Sequence, residues 1–257
     1  MNLPPRQLER ISIEVTNRCA KACWFCYSHS TPAGRTQWTV DELASFVSDC
    51  ADHGVKAVSF GGGEPLQFEG LFDLLTALRG RIFRSITSNG LLLDGALFER
   101  LIEAAPDKVH LSIHFPHNAA EVSRVIRQVH ALAERGMRSG INLLVAQSNL
   151  PAAQAAANQI REAGIDNSRI VYLPMRGQDT PTPQQVAAVA GNQPFQSMSC
   201  LSACASSLRF CSISWDKTAA WCSYTQTRRR LAELSYNGLQ AALDGLGLQF
   251  CGGADGR

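Results

Sequence analysis

At 257 residues, 45% hydrophobic and 18% charged, the chain has the composition of an ordinary globular protein and is long enough to bury a core. That length fits one α/β barrel domain or two smaller domains, and a formal charge of +2 gives no reason to expect a nucleic-acid partner. No apolar run reaches membrane-spanning length and Met1-Asn2-Leu3-Pro4-Pro5 has no signal-peptide core, so no membrane partner is expected either.

A first strand is expected over residues 10–15, where Ile11, Ile13 and Val15 alternate with Ser12 and Glu14. It runs into the loop Cys19-Ala20-Lys21-Ala22-Cys23-Trp24-Phe25-Cys26. A helix follows over 39–52, with Thr39 as N-cap, Glu42 completing a capping box, and Leu43, Phe46 and Val47 on one face. Gly54 stops it, and a short buried strand at 55–60 leads into Gly61-Gly62-Gly63-Glu64-Pro65. Helices at 71–78, 95–105, 119–135, 152–163 and 183–190 then alternate with strands at 82–87, 108–114, 139–145 and 169–173. Six βα repeats predict a parallel sheet covered by helices. Too few to close an eight-stranded barrel, they fit a partial (β/α)6 TIM-like barrel with its chemistry at the carboxyl ends of the strands. Composition shifts near Gly177. The division expected is a barrel core over 1–176, a linker with the last helix over 177–199, and a small cysteine-rich C-terminal domain over 200–257. That tail reads as a hairpin, 208–214 and 219–224, with a short helix at 239–246; Arg228-Arg229-Arg230 reads as the solvated edge of a helix.

Cys19, Cys23 and Cys26 bring three soft ligands to one loop, one short of the four that close an iron–sulfur cube. His29 follows Cys26 with two residues between, so a Cys3His zinc site in a non-catalytic protein is a second reading. Nine cysteines is an odd count for a disulfide framework and suits metal ligation in a reducing compartment, which points to the cytoplasm.

The spacing C-x3-C-x2-C, with Phe25 before its last cysteine, resembles the signature of the radical S-adenosylmethionine (radical SAM) superfamily. Gly62-Gly63-Glu64-Pro65 after the second strand resembles that superfamily's second motif. The resemblance implies a [4Fe–4S] cluster held by Cys19, Cys23 and Cys26, with SAM chelating the open iron. It also implies SAM-binding roles for Phe25, Gly62, Gly63, Glu64 and Pro65, with Glu64 beside the SAM amino group. Ser88-Asn89-Gly90 resembles the family turn near the SAM carboxylate and ribose, although an Asn-Gly pair is also an ordinary turn. Ser112 resembles the polar contact on the fourth strand. His114 stands where many relatives carry Asp, and reads equally as a pocket partner or a core histidine. Arg176 and Asp179, after the sixth strand, are either substrate contacts or loop charges.

The tail resembles the SPASM and shorter twitch extensions, which bind auxiliary iron–sulfur clusters. Cys204 and Cys222 flank the hairpin, and Lys217 stands where relatives have Gly at the turn, four residues before Cys222. Cys251 is a third ligand and Cys200 the best substitute for a fourth, since Ala254 occupies the place of the expected partner. Cys211 and Cys50 read as small core hydrophobes. By size and tail the chain looks closest to the compact twitch oxidoreductases. The resemblance therefore implies reductive cleavage of SAM to a 5′-deoxyadenosyl radical that abstracts a substrate hydrogen, with flavodoxin or ferredoxin as electron donor. The expected substrate is a small polar metabolite undergoing oxidation. The alternative is a peptide, cross-linked, thioether-bridged or epimerised by a SPASM-type maturase; with only about ten residues before the first strand, no fused leader-binding domain is expected.

Overall fold

The computed structural model describes residues 8–193, 201 and 209–248; Cys200, Cys204, Cys251 and Ala254 lie outside the described residues. In chain order the elements begin with β1 (Arg10–Thr16), α1 (Val40–Asp52), β2 (Ala57–Gly62), α2 (Leu71–Ala77), β3 (Phe83–Ser88) and α3 (Gly95–Ala104). Next come β4 (Lys108–Ile113), α4 (Ala119–Glu134), β5 (Ser139–Val145), α5 (Leu150–Glu162), β6 (Ile170–Pro174) and α6 (Pro183–Val189). The C-terminal part holds β7 (Phe210–Ile213), β8 (Thr218–Ala220), β9 (Arg229–Arg230) and α7 (Tyr236–Leu243). Two compact units result: β1, β2, β3, β7, β8 and β9 with α1, α2, α3 and α7 in one, and β4, β5 and β6 with α4, α5 and α6 in the other.

In the first unit β1 pairs in parallel with β2 on one side and β7 on the other, and β2 pairs in parallel with β3. Parallel neighbours need a crossover, and α1 and α2 supply it between the first three strands. Alternation sorts the two faces of the sheet. Ile11, Ile13 and Val15 of β1, Val58 and Phe60 of β2, and Cys211 and Ile213 of β7 are buried, as are Leu43, Phe46, Val47 and Cys50 along the apolar stripe of α1. Burial, with the Asp49 carboxylate as a smaller cause, pushes Cys50 up to about 12, and burial together with nearby Cys50 pushes the Cys211 thiol well up. They are core residues, as the sequence suggests. The opposite face is polar: Ser12 aligns with Ser59 and Ser212, and Ser59 with Ser85.

The capping box of α1 forms as expected, with Thr39 Oγ1 accepting from Glu42 N–H at 3.2 Å and Glu42 Oε2 accepting from Thr39 N–H at 3.0 Å. The tail hairpin is β7–β8, antiparallel, but its second strand ends at Ala220, so Cys222 stands in the turn beyond it. The arginine block corrects the sequence reading. Arg229 and Arg230 are strand β9, paired with β8, and no helix begins there. Arg229 and Arg230 are exposed, but Arg228, just before the strand, is half-buried, its guanidinium donating to Ser214 Oγ at 2.6 Å and Ser223 O at 2.8 Å.

The second unit is a parallel sheet in the order β6-β5-β4, with Ser112 aligned to Asn142 and Asn142 to Val171. Asn118 caps α4 by accepting from the N–H groups of Ala120 and Glu121 at 3.1 Å. Pro151 and Pro183 open α5 and α6, where a missing N–H costs no helical bond.

Lys217 shows what the turn between β7 and β8 demands. Its φ is +65°, the left-handed region that glycine adopts without a steric penalty. A lysine is held there by an ion pair from Nζ to Glu42 at 2.7 Å and by its place 5.2 Å from the centre of the Trp38 ring. Both contacts vanish in Lys217→Ala and Lys217→Gly alike, but only alanine keeps the strain. Urea denaturation should find Lys217→Gly more stable than Lys217→Ala by about 1 kcal/mol. Equal stability would mean that the turn does not enforce a left-handed residue.

Candidate active site

The loop after β1 is tied shut at its base. Cys19 N–H donates to Thr31 O at 2.9 Å, Thr31 N–H to Asn17 O at 3.0 Å, and Arg18 Nε to Gly34 O at 3.1 Å. Gly34 is required at that closure, because a Cβ there would fall 2.2 Å from Asn17 O. Inside the loop Cys26 N–H donates to Cys23 O at 3.0 Å, a reverse turn that brings the second and third cysteines round to one another. None of the three is in a disulfide; Cys19 is buried, and Cys23 and Cys26 are half-buried. Cys26 Sγ lies 3.4 Å from Ser28 Oγ, which in turn contacts Ser30 Oγ at 2.6 Å.

Among the described residues no three His, Cys, Asp or Glu side chains stand close enough for a single metal ion, and His29 is exposed. A cube places each cysteine sulfur on a different iron, so its ligands stand further apart than those of one ion. Three cysteines outside any disulfide on one clamped loop, without a fourth beside them in the motif, fit a cube with one iron left for another ligand. Phe25 is half-buried and meets Trp24 edge-on at 5.2 Å, while Trp24 itself is 80% exposed.

The second motif is bonded to the segment that leads into the first. Gly63 N–H donates to Thr16 O at 2.7 Å and Glu64 N–H to Arg18 O at 2.8 Å. Side chains at either glycine would break this contact: a Cβ on Gly62, whose φ is +104°, would sit 2.6 Å from Thr16 O, and one on Gly63 2.2 Å from Arg18 O. The glycines thus let the chain's own backbone close together. Glu64 is 1% exposed; its Oε1 accepts from Leu66 N–H at 3.1 Å, capping the short turn that Pro65 opens, and from Ser88 Oγ at 2.8 Å. The structure therefore brings Ser88 to Glu64.

In the second unit Asn89 folds its own turn, its Oδ1 accepting from Leu91 N–H at 2.8 Å. Arg124 donates to Asn89 O at 3.1 Å and Gln128 to Gly90 O at 2.7 Å, so α4 holds the turn from outside. Ser112 is buried on β4; His114, just beyond the strand, is half-buried, with its N–H donating to Glu121 Oε1 at 2.6 Å. Asp179 has both carboxylate oxygens on Ser148, accepting from its N–H at 2.8 Å and its hydroxyl at 2.6 Å, and Arg176 is half-buried.

One group in the first unit was not singled out from the sequence. Glu14 lies on the polar face of β1, 4% exposed, and its Oε1 has no hydrogen-bond partner among the described residues. Burial pushes its pKa up to about 7 against the opposing pull of Arg228. Tyr27 is also pushed well above its ordinary value, by burial first and then by the negative charge of Glu14. The Tyr27 ring packs 5.2 Å from that of Tyr224, whose N–H lies 3.5 Å from Cys222 Sγ, so the turn carrying Cys222 rests against the cysteine loop. Strict alternation with Ser12 and Thr16 was the sequence signal for Glu14.

The sequence profile of the radical SAM superfamily matches residues 13–182, more than half of the chain. The chain belongs to the radical SAM superfamily. Membership implies a [4Fe–4S] cluster and SAM. The parallel α/β fold is consistent with the partial TIM-like barrel of radical SAM proteins. The chain is similar to a probable GTP 3′,8-cyclase of Methanocella arvoryzae, 35% identical over 108 residues, which are 42% of this chain and 35% of that protein. It is also similar to the PqqA peptide cyclase of Granulibacter bethesdensis, 27% identical over 149 residues, 53% of this chain and 40% of that one. The chain thus spans well under two thirds of the length of these relatives. Among solved structures SuiB of Streptococcus suis bound to S-adenosylmethionine superposes with a TM-score of 0.73 at 16% identity, covering 93% of this chain and 67% of SuiB. SuiB bound to its precursor peptide SuiA gives 0.70 at 15% identity, covering 93% of this chain and 65% of that one.

The raised pKa of Glu14 has a measurable sign. The folded chain holds this proton up to about 7, whereas the unfolded chain releases it near 4.5. Between those values the unfolded state binds fewer protons, so stability falls as pH rises, and the loss is complete above about 7. Glu14→Gln lacks the titration. Its melting temperature relative to the unsubstituted protein should climb across that window; a difference independent of pH would contradict the buried carboxyl.

Proposed function

We propose that this radical SAM protein is an oxidoreductase of the twitch kind, acting on a small polar metabolite in a biosynthetic pathway of the cytoplasm. The observation that carries its radical SAM chemistry is the direct backbone bonding of Gly63 and Glu64 to Thr16 and Arg18, which fixes the second motif at the entrance to the cysteine loop. Cys19, Cys23 and Cys26 would hold the first cluster; Cys222, with Cys204, Cys251 and Cys200, a second. When bound, the first group with SAM supplies a 5′-deoxyadenosyl radical and the second an acceptor for one electron.

The chain's own residues divide the remaining work. Gly62, Gly63 and Glu64 present backbone and carboxylate to the SAM amino group, with Ser88 and the Pro65 turn fixing the Glu64 rotamer. Phe25 borders the cofactor from the cysteine loop. Asn89 and Ser112 are assigned to the SAM ribose and carboxylate side. His114 and Arg176 are assigned to substrate contact, and Asp179 less directly, because Ser148 occupies both its oxygens. Electrons come from a carrier such as flavodoxin or ferredoxin.

A peptide substrate is the second reading. It is favoured by the similarity to PqqA peptide cyclase and by the fold shared with SuiB, known in complex with a precursor peptide. The zinc reading is set aside, since membership of the superfamily accounts for the three cysteines and His29 is exposed.

Iron content and SAM cleavage test the assignment together. The reconstituted protein should bind roughly eight irons, and Cys222→Ala roughly four, while still forming 5′-deoxyadenosine with dithionite and SAM. Replacing Cys19, Cys23 and Cys26 by Ala should abolish 5′-deoxyadenosine and leave iron in the tail. Nucleoside formation by the triple variant would sink the first assignment, and unchanged iron in Cys222→Ala the second.

A further inference from the structure

Burying a carboxyl without a partner for one oxygen is costly, and such groups in folded proteins are normally satisfied. Glu14 breaks that rule in a particular place. On one side, its Cβ is so near Gly62 that a methyl group there would come within 2.7 Å. On the other, its carboxyl group interacts with Trp215 N–H and the Ser214 hydroxyl, at the start of the turn leaving β7. Ser214 is in turn held by Arg228, which also grips Ser223, the neighbour of Cys222. Glu14 therefore lies between the second cofactor motif and the turn leaving β7, which Arg228 links to Ser223 beside Cys222. Its surroundings on the polar face of the sheet are hydroxyls, Ser12 and Thr16 on β1 and Ser212 on β7, and Ser212 Oγ is likewise buried without a partner among the described residues.

We infer that Glu14 is a substrate-binding residue, whose open Oε1 accepts a hydrogen bond from an N–H or O–H donor of the substrate. The inference rests on the radical SAM reading for what the substrate does next, but not for the open carboxyl oxygen itself. The charged groups that act on Glu14 are Arg228 and Asp216 from the tail, and Glu14 in turn acts on Tyr27 of the cysteine loop. Arg228 has its fork engaged by Ser214 and Ser223 and leaves Oε1 open. A neutral donor such as an amide N–H would fill the position while the carboxyl keeps its proton. An ammonium group would fill it by driving that proton off, since a cation beside a carboxyl favours the ionised form. The shared chemistry is the donor, and its charge separates the two substrate classes.

The probes are N-methylacetamide and methylammonium, added to the reconstituted, SAM-bound protein below the Glu14 pKa. The readout is the infrared C=O band of the buried carboxylic acid, identified as the band absent from Glu14→Gln. Should Glu14→Gln not fold, Glu14→Asp identifies the band by displacing it. A shift to lower frequency with the amide supports the inference and assigns a neutral donor. Loss of the band with methylammonium supports it and assigns an amine-bearing substrate. A band indifferent to both probes overturns it. A protein that forms no 5′-deoxyadenosine but shows the band response keeps the Glu14 site and loses the radical SAM reading. One that cleaves SAM without any response loses the Glu14 site alone.

Discussion

Two backbone hydrogen bonds, Gly63 to Thr16 and Glu64 to Arg18, hold the first unit's site in register. They run between the end of β2 and the point where β1 gives way to the cysteine loop. Each requires an approach that no side chain tolerates, which is why Gly62 and Gly63 must be glycine. From this seam the other features follow. The loop is closed at Thr31 and Gly34, Glu64 is turned to meet Ser88 and Leu66, and Glu14 is pressed against Gly62. A bulge in β1 between Glu14 and Thr16 lets the strand bend toward the loop while its pairing with β2 continues.

The tail is attached to this seam through β1, not beside it. Parallel pairing of β7 with β1 puts Ser214, Trp215 and the turn beyond β8 within reach of Glu14 and of Tyr27, the residue after Cys26. Lys217 keeps the hairpin turn in the left-handed form that a glycine would adopt, anchored to Glu42 of the α1 capping box. The same helix that starts with that box buries Cys50 against the thiol of Cys211, so α1 ties the tail to the strand preceding the cysteines.

Local signals carried most of what could be read from the sequence. Thr39 and Glu42 mark a helix start because their bonds lie within one turn, and the βα series follows from periodicity. The motif cysteines and glycines were legible because their spacing is short and fixed. What lay beyond reach was pairing between distant segments. Nothing in residues 210–213 announces β1 as a parallel neighbour, so Arg228 was read as a surface charge when it is drawn inward to Ser214. Glu14 was visible as one polar residue in an alternating strand, but its isolation depends on Gly62, Trp215 and Arg228, which come from three other segments.

The central claim is that Cys19, Cys23 and Cys26 hold a cluster with an iron open to SAM. Electron paramagnetic resonance of dithionite-reduced Cys222→Ala protein, recorded with and without SAM, tests it most directly, because the tail no longer contributes a second signal. The account predicts that SAM changes the g-values of the remaining cluster, since direct coordination alters the electronic structure of the iron it reaches. A spectrum identical with and without saturating SAM would contradict it.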